Sequence, residues 1–518
     1  MGGGPRPPAP IETHISYVFL APERAFKLKR SVKLPYLDFS TPELRLAACR
    51  RELDLNKRTA DRLYCAVRRI TRGLDGELVF DGKGPLVDAV VEMRRFEQHA
   101  VFDRMAAVGL LDTRLMAELA ETIAIFHAAA PVKHGGSGAQ RIATVIDINA
   151  RALATVTDIL PPPRIDRVNL ACQAALVRLG WLMDRRAERG KVRHCHGDLH
   201  LRNICLIDGK PTLFDCLEFN DELATTDVLY DLAFLLMDLW HCDLRPLSNF
   251  ACNRYLDHAD ETDGLPLLPF FMALRAIVRA HVTATRAMGA PTPERATLAS
   301  EANAFLATAQ ALLQHKPSRL VAIGGLSGTG KSTLAAAIAD RIGPAPGARV
   351  LSSDRIRKAW FGVPVQTRLP EDAYRPEISE KVYARLFSTA LTTLKTGHGV
   401  VTDAVFDRQA DRDHIRTVAD GLQVPFQGLW LEASPDILLH RVALRRADPS
   451  DAGVDVVREQ LAHNLPVTDW PHVQSDTARN ELEATAARLL DLDAGCNSNR
   501  ARTSAPRPPP SPPSRSSR

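Results

Sequence analysis

Apolar and polar positions run through this chain in two rhythms. Ser16-Tyr17-Val18-Phe19-Leu20 and Ala25-Phe26-Lys27-Leu28-Lys29 predict two short strands around a turn. Thr41-Pro42-Glu43 predicts a helix start, with Thr as cap and Pro in the first turn. That helix should run to about Lys57 and carry Glu52. Helical spacing covers Phe96 to Ala129 and Asn169 to Arg189, and returns at Thr226 to Leu239 and Leu268 to Met288. Val192 to Phe214 reads as loops and short strands. The expected α+β arrangement is a few strands followed by a mostly helical lobe. A break falls near His315-Lys316-Pro317. Beyond it, short strands at Arg319 to Gly324, Arg349 to Ser352, Gly399 to Asp403 and Gln427 to Leu431 alternate with helical stretches, among them Lys331 to Arg341. Such alternation predicts an α/β domain, a parallel sheet with helices on both faces.

Composition changes this picture little. At 518 residues the chain is too long for one core and suits two or three domains. The net charge of +5 misleads, because after Asp493 there is no acid and there are five arginines, Arg500, Arg502, Arg507, Arg515 and Arg518. The remainder is neutral, which gives no reason to expect nucleic acid as a partner. Residues 1 to 11 and 495 to 518, rich in Gly, Pro, Ser and Arg, are expected to be disordered. Nine cysteines without a CxxC pair fit reduced thiols. No apolar run approaches the roughly 18 residues of a membrane span, and a cytoplasmic location without membrane contact is expected.

The candidate chemistry lies in two places. Gly325-Leu326-Ser327-Gly328-Thr329-Gly330-Lys331-Ser332 follows a predicted strand and opens a predicted helix. Its glycines let backbone N–H groups converge on phosphate oxygens at the positive end of that helix. Gly325, Ser327, Gly328, Thr329, Gly330 and Thr333 would frame the nucleotide, with Lys331 on its β- and γ-phosphates and Ser332 on Mg²⁺. Asp354 and Arg357, in a D-x-x-R after the second strand, suit proton acceptance from a hydroxyl and the holding of an acceptor or phosphate. A plain helix cap is the other reading of Asp354. Asp403, at the next strand end, suits Mg²⁺ or its water. Arg441, Arg445 and Arg446 are read on one helix; Arg441 and Arg445, at i and i+4, would share a face and close over the phosphates, or else form a solvated surface.

Upstream stands His196-Gly197-Asp198-Leu199-His200-Leu201-Arg202-Asn203, followed by Asp215. An aspartate to accept the hydroxyl proton, an asparagine for one metal ion and a second aspartate for another is the order that protein-kinase chemistry needs. Asp198, Asn203 and Asp215 supply it. The histidines admit a rival, since His194-Cys195-His196-Gly197-Asp198-Leu199-His200 is near the H-x-H-x-D-H of binuclear metal hydrolases. Leu199 interrupts that pattern, and His196 reads better as a framework residue bonded to backbone. Cys195, Cys205 and Cys216 read as small core residues, and His127 as a helix-packing residue.

Residues 318 to 492 resemble the P-loop kinases of the gluconate-kinase and polynucleotide-kinase type, an AAA-like ATP-binding domain. His196 to His200 resembles the catalytic loop of aminoglycoside and choline-type small-molecule kinases. Leu213-Phe214-Asp215 resembles their metal-binding strand end, and Tyr230-Asp231-Leu232-Ala233 the helix that follows. That resemblance covers residues 12 to 290 and implies a protein-kinase-like domain over 12 to 315. It also implies a strand lysine paired with a helix glutamate, for which Lys27 and Glu52 are the candidates, with Lys29 on the same strand face. No G-x-G-x-x-G precedes the lysine. The whole chain resembles bacterial fusions described as aminoglycoside phosphotransferase/ATP-binding proteins. The resemblance implies an ATP- and Mg²⁺-dependent phosphotransferase with two nucleotide sites, acting on hydroxyl groups of small molecules. An ATP-binding regulatory protein with a degenerate first domain, or a polynucleotide 5′-hydroxyl kinase, are the alternatives.

Overall fold

The computed structural model describes residues 10–13, 15–34, 37–445, 450–463, 467 and 469–492. The tail expected to be disordered lies outside them, as does the amino-terminal stretch through residue 9. Ile11, expected in that stretch, instead begins a strand, Ile11–Glu12, paired with Tyr17 and Val18. The chain forms two compact units. The first holds the chain up to Arg319 with Gly343–Val350 and Thr389–Val400; the second holds Leu320–Ile342, Leu351–Ser388 and the chain from Val401.

The first unit begins with a six-stranded antiparallel sheet in the order Ile11–Glu12, Ser16–Leu20, Arg24–Lys29, Leu86–Arg94, Tyr64–Arg72, Leu78–Phe80. The last three strands went unread because charges such as Arg68, Arg69 and Asp88 blur their alternation, and a register shift interrupts the pairing at Ile70/Thr71. Helix Pro42–Ala60 packs on this sheet. The Thr41 hydroxyl accepts from the Leu44 amide at 3.3 Å, as expected of a cap. Its buried positions include Arg45, Glu52 and Asn56, so this helix is held by buried polar pairs as well as by an apolar stripe.

The helical lobe departs from the expected segments. Phe96 to Ala129 is not one helix: Phe102–Ala107 ends near Gly109, which has φ +72°, and Thr113–Ala129 restarts with Asp112 accepting from the Leu115 amide at 2.8 Å. Helices Gly138–Ala154, Arg245–His258 and Thr292–Leu312 were not anticipated, and Asn169 lies inside a longer helix, Pro162–Glu188. Thr226 lies in a short strand, Thr225–Asp227, paired with Val192–His194. Helices Val228–His241 and Leu268–Gly289 form the centre of the core, with Phe234, Phe271 and Phe305 fully sealed. Against expectation, one segment, Thr262–Gly289, is long and apolar enough to cross a membrane, yet 67% of its apolar window is buried inside the protein. Core burial accounts for that composition.

Most of a five-stranded parallel sheet belongs to the second unit, in the order Arg349–Ser352, Val400–Asp403, Leu320–Gly325, Phe426–Glu432, His472–Gln474, of which Arg349, Val350 and Val400 are counted with the first. Leu320–Gly325 is central and buried at every position. The three-residue strand His472–Gln474 was too short to read. The helix after the Gly-rich loop runs Lys331–Ile338, with a 3₁₀ turn to Arg341. The central strand therefore delivers the loop to a helix amino terminus, as phosphate binding requires.

Candidate active sites

In the first unit, Lys27 projects from strand Arg24–Lys29 and Glu52 from helix Pro42–Ala60, and they meet at 2.9 Å. Lys27 also reaches Asp215 Oδ1 at 2.5 Å. Lys29 contacts Glu52 Oε2 at 2.5 Å and also pairs with Glu218. The structure thus resolves which lysine faces Asp215: it is Lys27. Burial opposes charge on Glu52, but the two ammonium groups bring its carboxyl down to about 2. Burial likewise opposes charge on Lys27, while Asp215, Glu52 and Glu218 hold it well above its ordinary value.

The loop that carries Asp198 and Asn203, the candidate catalytic loop, lies beside this cluster. Asn203 Nδ2 donates to Asp198 Oδ2 and to the Asp198 carbonyl, both at 2.9 Å. With its NH₂ group spent on Asp198, Asn203 has its Oδ1 as the atom that could serve a metal ion. His200 Nε2 lies 3.3 Å from Asp198 Oδ2. Burial works against an ionised Asp198, but His200, His196 and Arg275 outweigh it and hold the carboxyl well below the usual carboxylate range. Asp215 has φ +62°, and its amide donates to the Tyr64 hydroxyl. Amide and carboxylate oxygens from Asn203 and Asp215 are a hard donor set of the kind Mg²⁺ takes.

His194 and His196 are drawn to separate partners. His194 pairs with Asp221 at 3.0 Å, and His196 Nε2 bonds the Phe214 carbonyl at 3.0 Å, the framework role expected of it. Among the described residues, the group dense enough for a metal is His127, Cys195 and Asp231, and its members are already engaged. His127 is more than a packing residue: it bonds Asp231 at 3.1 Å and the Tyr255 hydroxyl at 2.9 Å. Cys195, Cys205 and Cys216 are buried, as expected.

In the second unit, Gly325 has φ +138°, and a Cβ there would stand 2.5 Å from the Leu431 carbonyl oxygen. Only glycine allows the loop to leave the strand this close to its neighbour. Gly328 and Gly330 also have positive φ, and Thr329 Oγ1 ties the loop by donating to the Leu326 carbonyl at 2.8 Å. Ser327 donates its amide to Gln460 at 2.9 Å, and Lys331 reaches the Leu326 carbonyl at 3.0 Å. Thr333 is exposed in the first helical turn. The Ser332 hydroxyl donates to Asp403 Oδ2 at 2.5 Å, so two oxygen donors suited to Mg²⁺ stand together beside the loop. Burial raises both Asp403 and Asp354 above the ordinary carboxylate value, against Lys331 in each case. A cavity of about 340 Å³, lined by Leu326, Thr329, Leu431, Ser434 and Gln474 among others, opens beside the loop.

The D-x-x-R lies on helix Ser353–Trp360. Asp354 follows the Ser352 cap position, so it is not itself the cap. Arg357 is turned into the protein, donating to the Ala373 carbonyl at 2.7 Å and lying 4.7 Å from the Tyr374 ring centre. The shared face of Arg441 and Arg445 is not formed, because the helix Pro435–Ala443 ends before Arg445. Arg441 turns back to the loop, at 3.4 Å from the Gly328 carbonyl, anchored at 2.6 Å by the Ser475 carbonyl, while the charge of Arg445 acts on Asp354. Arg446 lies outside the described residues.

The Phosphotransferase enzyme family matches residues 36–262 and the AAA domain residues 320–467. Uncharacterized protein Rv2004c of Mycobacterium tuberculosis (strain ATCC 25618 / H37Rv) is 31% identical over 470 residues, 89% of this chain and 90% of that protein. The chain belongs to this two-domain phosphotransferase and P-loop kinase family. The adenylyl-sulfate kinase of Myxococcus xanthus (strain DK1622) is 26% identical over 168 residues, 32% of this chain and 83% of that enzyme. The solved structure of the GDP complex of aminoglycoside 2'-phosphotransferase-IIIa is 14% identical, with a TM-score of 0.36, covering 58% of this chain and 92% of that one. The two matched families support a kinase-type activity.

Asp231 was singled out with its helix, but what it holds was not legible beforehand, and neither were the contacts of Arg275, Lys358 and Asp451. Asp231 accepts the amides of His196 at 3.2 Å and Gly197 at 2.8 Å, holding the catalytic loop from beneath. Arg275 braces the same loop through the Gly197 carbonyl at 3.2 Å. Near Asp354, buried Lys358 meets Asp451 at 2.5 Å, and Asp451 also accepts from the Tyr374 hydroxyl at 2.5 Å. Of these, Asp231 carried a signal, through its place in Tyr230-Asp231-Leu232-Ala233.

Proposed function

We propose that each unit is an ATP- and Mg²⁺-dependent phosphotransferase that passes the γ-phosphate to a hydroxyl group of a small molecule. One observation supports this most: Asp198 is held ionised and oriented by Asn203 and His200, beside a Lys27–Glu52–Asp215 array assembled from three separate parts of the chain. Nucleotide binding alone needs no such oriented base.

In the first unit, the Asp198 carboxylate accepts the acceptor hydroxyl proton as the oxygen attacks the γ-phosphorus. Asn203 keeps the carboxylate aimed, and Lys27 supplies positive charge to the phosphates. Asn203 and Asp215 would hold Mg²⁺, which neutralises phosphate charge when bound. In the second unit, loop amides and Lys331 hold the phosphates, Ser332 and Asp403 would hold Mg²⁺, and Asp354 is the proton acceptor. Arg441 takes the lid role over the loop. The neutral charge of the chain before the basic tail favours small acceptors over nucleic acid. The dependence on ATP agrees with a cytoplasmic setting.

Untargeted metabolite profiling with γ-labelled ATP tests this reading on the full chain, Asp198→Asn and Lys331→Ala. Two labelled product sets, each lost in one variant, are expected. ATP binding with no transferred label under any extract would overturn it.

A further inference from the structure

The array around Lys27 contains one ion pair more than phosphoryl transfer requires. Lys27 and Lys29 are two residues apart on one strand, so both project to one face, about 7 Å apart. Glu52 lies between them, with Oε1 on Lys27 and Oε2 on Lys29. At the far ends, Lys27 holds Asp215 and Lys29 holds Glu218. The two pairs differ in access. Lys29 and Glu52 side chains have no exposure and Glu218 has 4%, whereas Asp215 is 38% exposed. The outer pair faces the site; the inner pair is sealed.

Asp215 and Glu218 bracket one turn. Asp215 takes a left-handed backbone conformation, which aspartate tolerates better than most side chains and which marks a tight turn here. The turn is pinned at successive residues: the Asp215 amide to Tyr64, the Cys216 amide to Asn56 at 2.9 Å, and the Leu217 amide to the His196 carbonyl at 2.9 Å. Glu218 on Lys29 is the fourth pin and the one charged side-chain anchor of the turn besides Asp215 itself. Building on the reading of the first unit as a kinase, we propose that Lys29 and Glu218 are positioning residues. Their sealed ion pair fixes the Asp215–Glu218 turn to the strand and so sets where Asp215 presents its carboxylate to Mg²⁺.

The test uses the full chain carrying Lys331→Ala, which silences the second site, with and without Glu218→Gln. Calorimetric ATP titration at graded Mg²⁺ should show that Glu218→Gln raises the Mg²⁺ needed for half-maximal binding by roughly 10–100-fold. Metal-free ATP binding should be unchanged. Hydrogen exchange of the peptide spanning Asp215 to Glu218 should quicken, while the core helices keep their protection. A folded Glu218→Gln protein with parental Mg²⁺ dependence and parental exchange overturns the proposal. Should Glu218→Gln fail to fold, Lys29→Met with Glu218→Leu removes both buried charges and restores the fold. That double variant must still show the Mg²⁺ shift and the faster exchange, and parental values there count against positioning. If the parent binds no ATP in the first unit, the kinase reading of that unit falls, while the exchange measurement still decides whether Glu218 fixes the turn.

Discussion

The two candidate sites, proposed to serve one kind of chemistry, have opposite electrostatics. In the first unit, cations surround the working carboxylates: Lys27 and Lys29 bring Glu52 down to about 2, and His200 holds Asp198 ionised despite burial. In the second unit, burial prevails, and Asp354 and Asp403 are both raised. The first site is preorganised by side-chain charges gathered from distant segments, Lys27 and Asp215 being 188 residues apart. The second takes its phosphate loop from one contiguous stretch shaped by backbone and glycines, to which Asp403 and Arg441 are brought from 71 and 113 residues away. The two therefore differ most in how the phosphate-facing groups are assembled.

The largest expected effect separates the units by their bases. Asp198→Asn should lower transfer by the first unit by about 10²–10⁴-fold and leave the second unit's products unchanged, read by label transfer from γ-labelled ATP. Loss of both product sets would mean that the sites do not act independently. Lys331→Ala should cost the second unit about 10²–10³-fold, since one preorganised cation at the phosphates is removed. An equal loss in the first unit's products would again break the contrast.

A smaller effect concerns the catalytic loop. Gly197 has φ +83°, and an added Cβ would lie 2.8 Å from Leu217 Cβ. Gly197→Ala should destabilise the first unit by about 1–2 kcal/mol from backbone strain alone, measured by denaturant melts with a probe in each unit. The same loss in the second unit's transition is not expected.

The smallest effect is the response to acid. Glu52 is depressed from its ordinary 4.5 to about 2, so its contribution is complete above 4.5 and fades as pH falls toward 2. Glu218, raised by burial, offsets part of this. Asp354 and Asp403 are raised above 3.8, so their charge costs stability at neutral pH and that cost is relieved as they protonate on acidification. Calorimetry from neutral pH down to about pH 3 should show the first unit's transition falling relative to the second's. Parallel shifts would show that the carboxylates of the two sites do not differ in this way.

What could be read from the chain alone follows from how far each signal reaches. Gly325 to Ser332 is a local motif: its glycines, its lysine and the helix after it are neighbours in sequence, so loop, strand and helix were all legible. The Asp198–Asn203 contact joins residues of one short stretch, so it too could be anticipated. The break near Pro317 was read as one cut, whereas the first unit runs to Arg319 and takes back Gly343–Val350 and Thr389–Val400. Contacts across the fold were not. Periodicity placed Lys27 and Lys29 on one face but could not say which met Asp215, because that depends on where the turn after Leu213 lies against the strand. Helical spacing put Arg441 and Arg445 on one face, but the helix stops at Ala443. His127 looked apolar in company, yet its partners Asp231 and Tyr255 lie 104 and 128 residues away. Local backbone preference and motif chemistry are properties of neighbouring residues. The pairing of buried charges depends on which distant segments share a low-dielectric interior, and only the tertiary structure decides that.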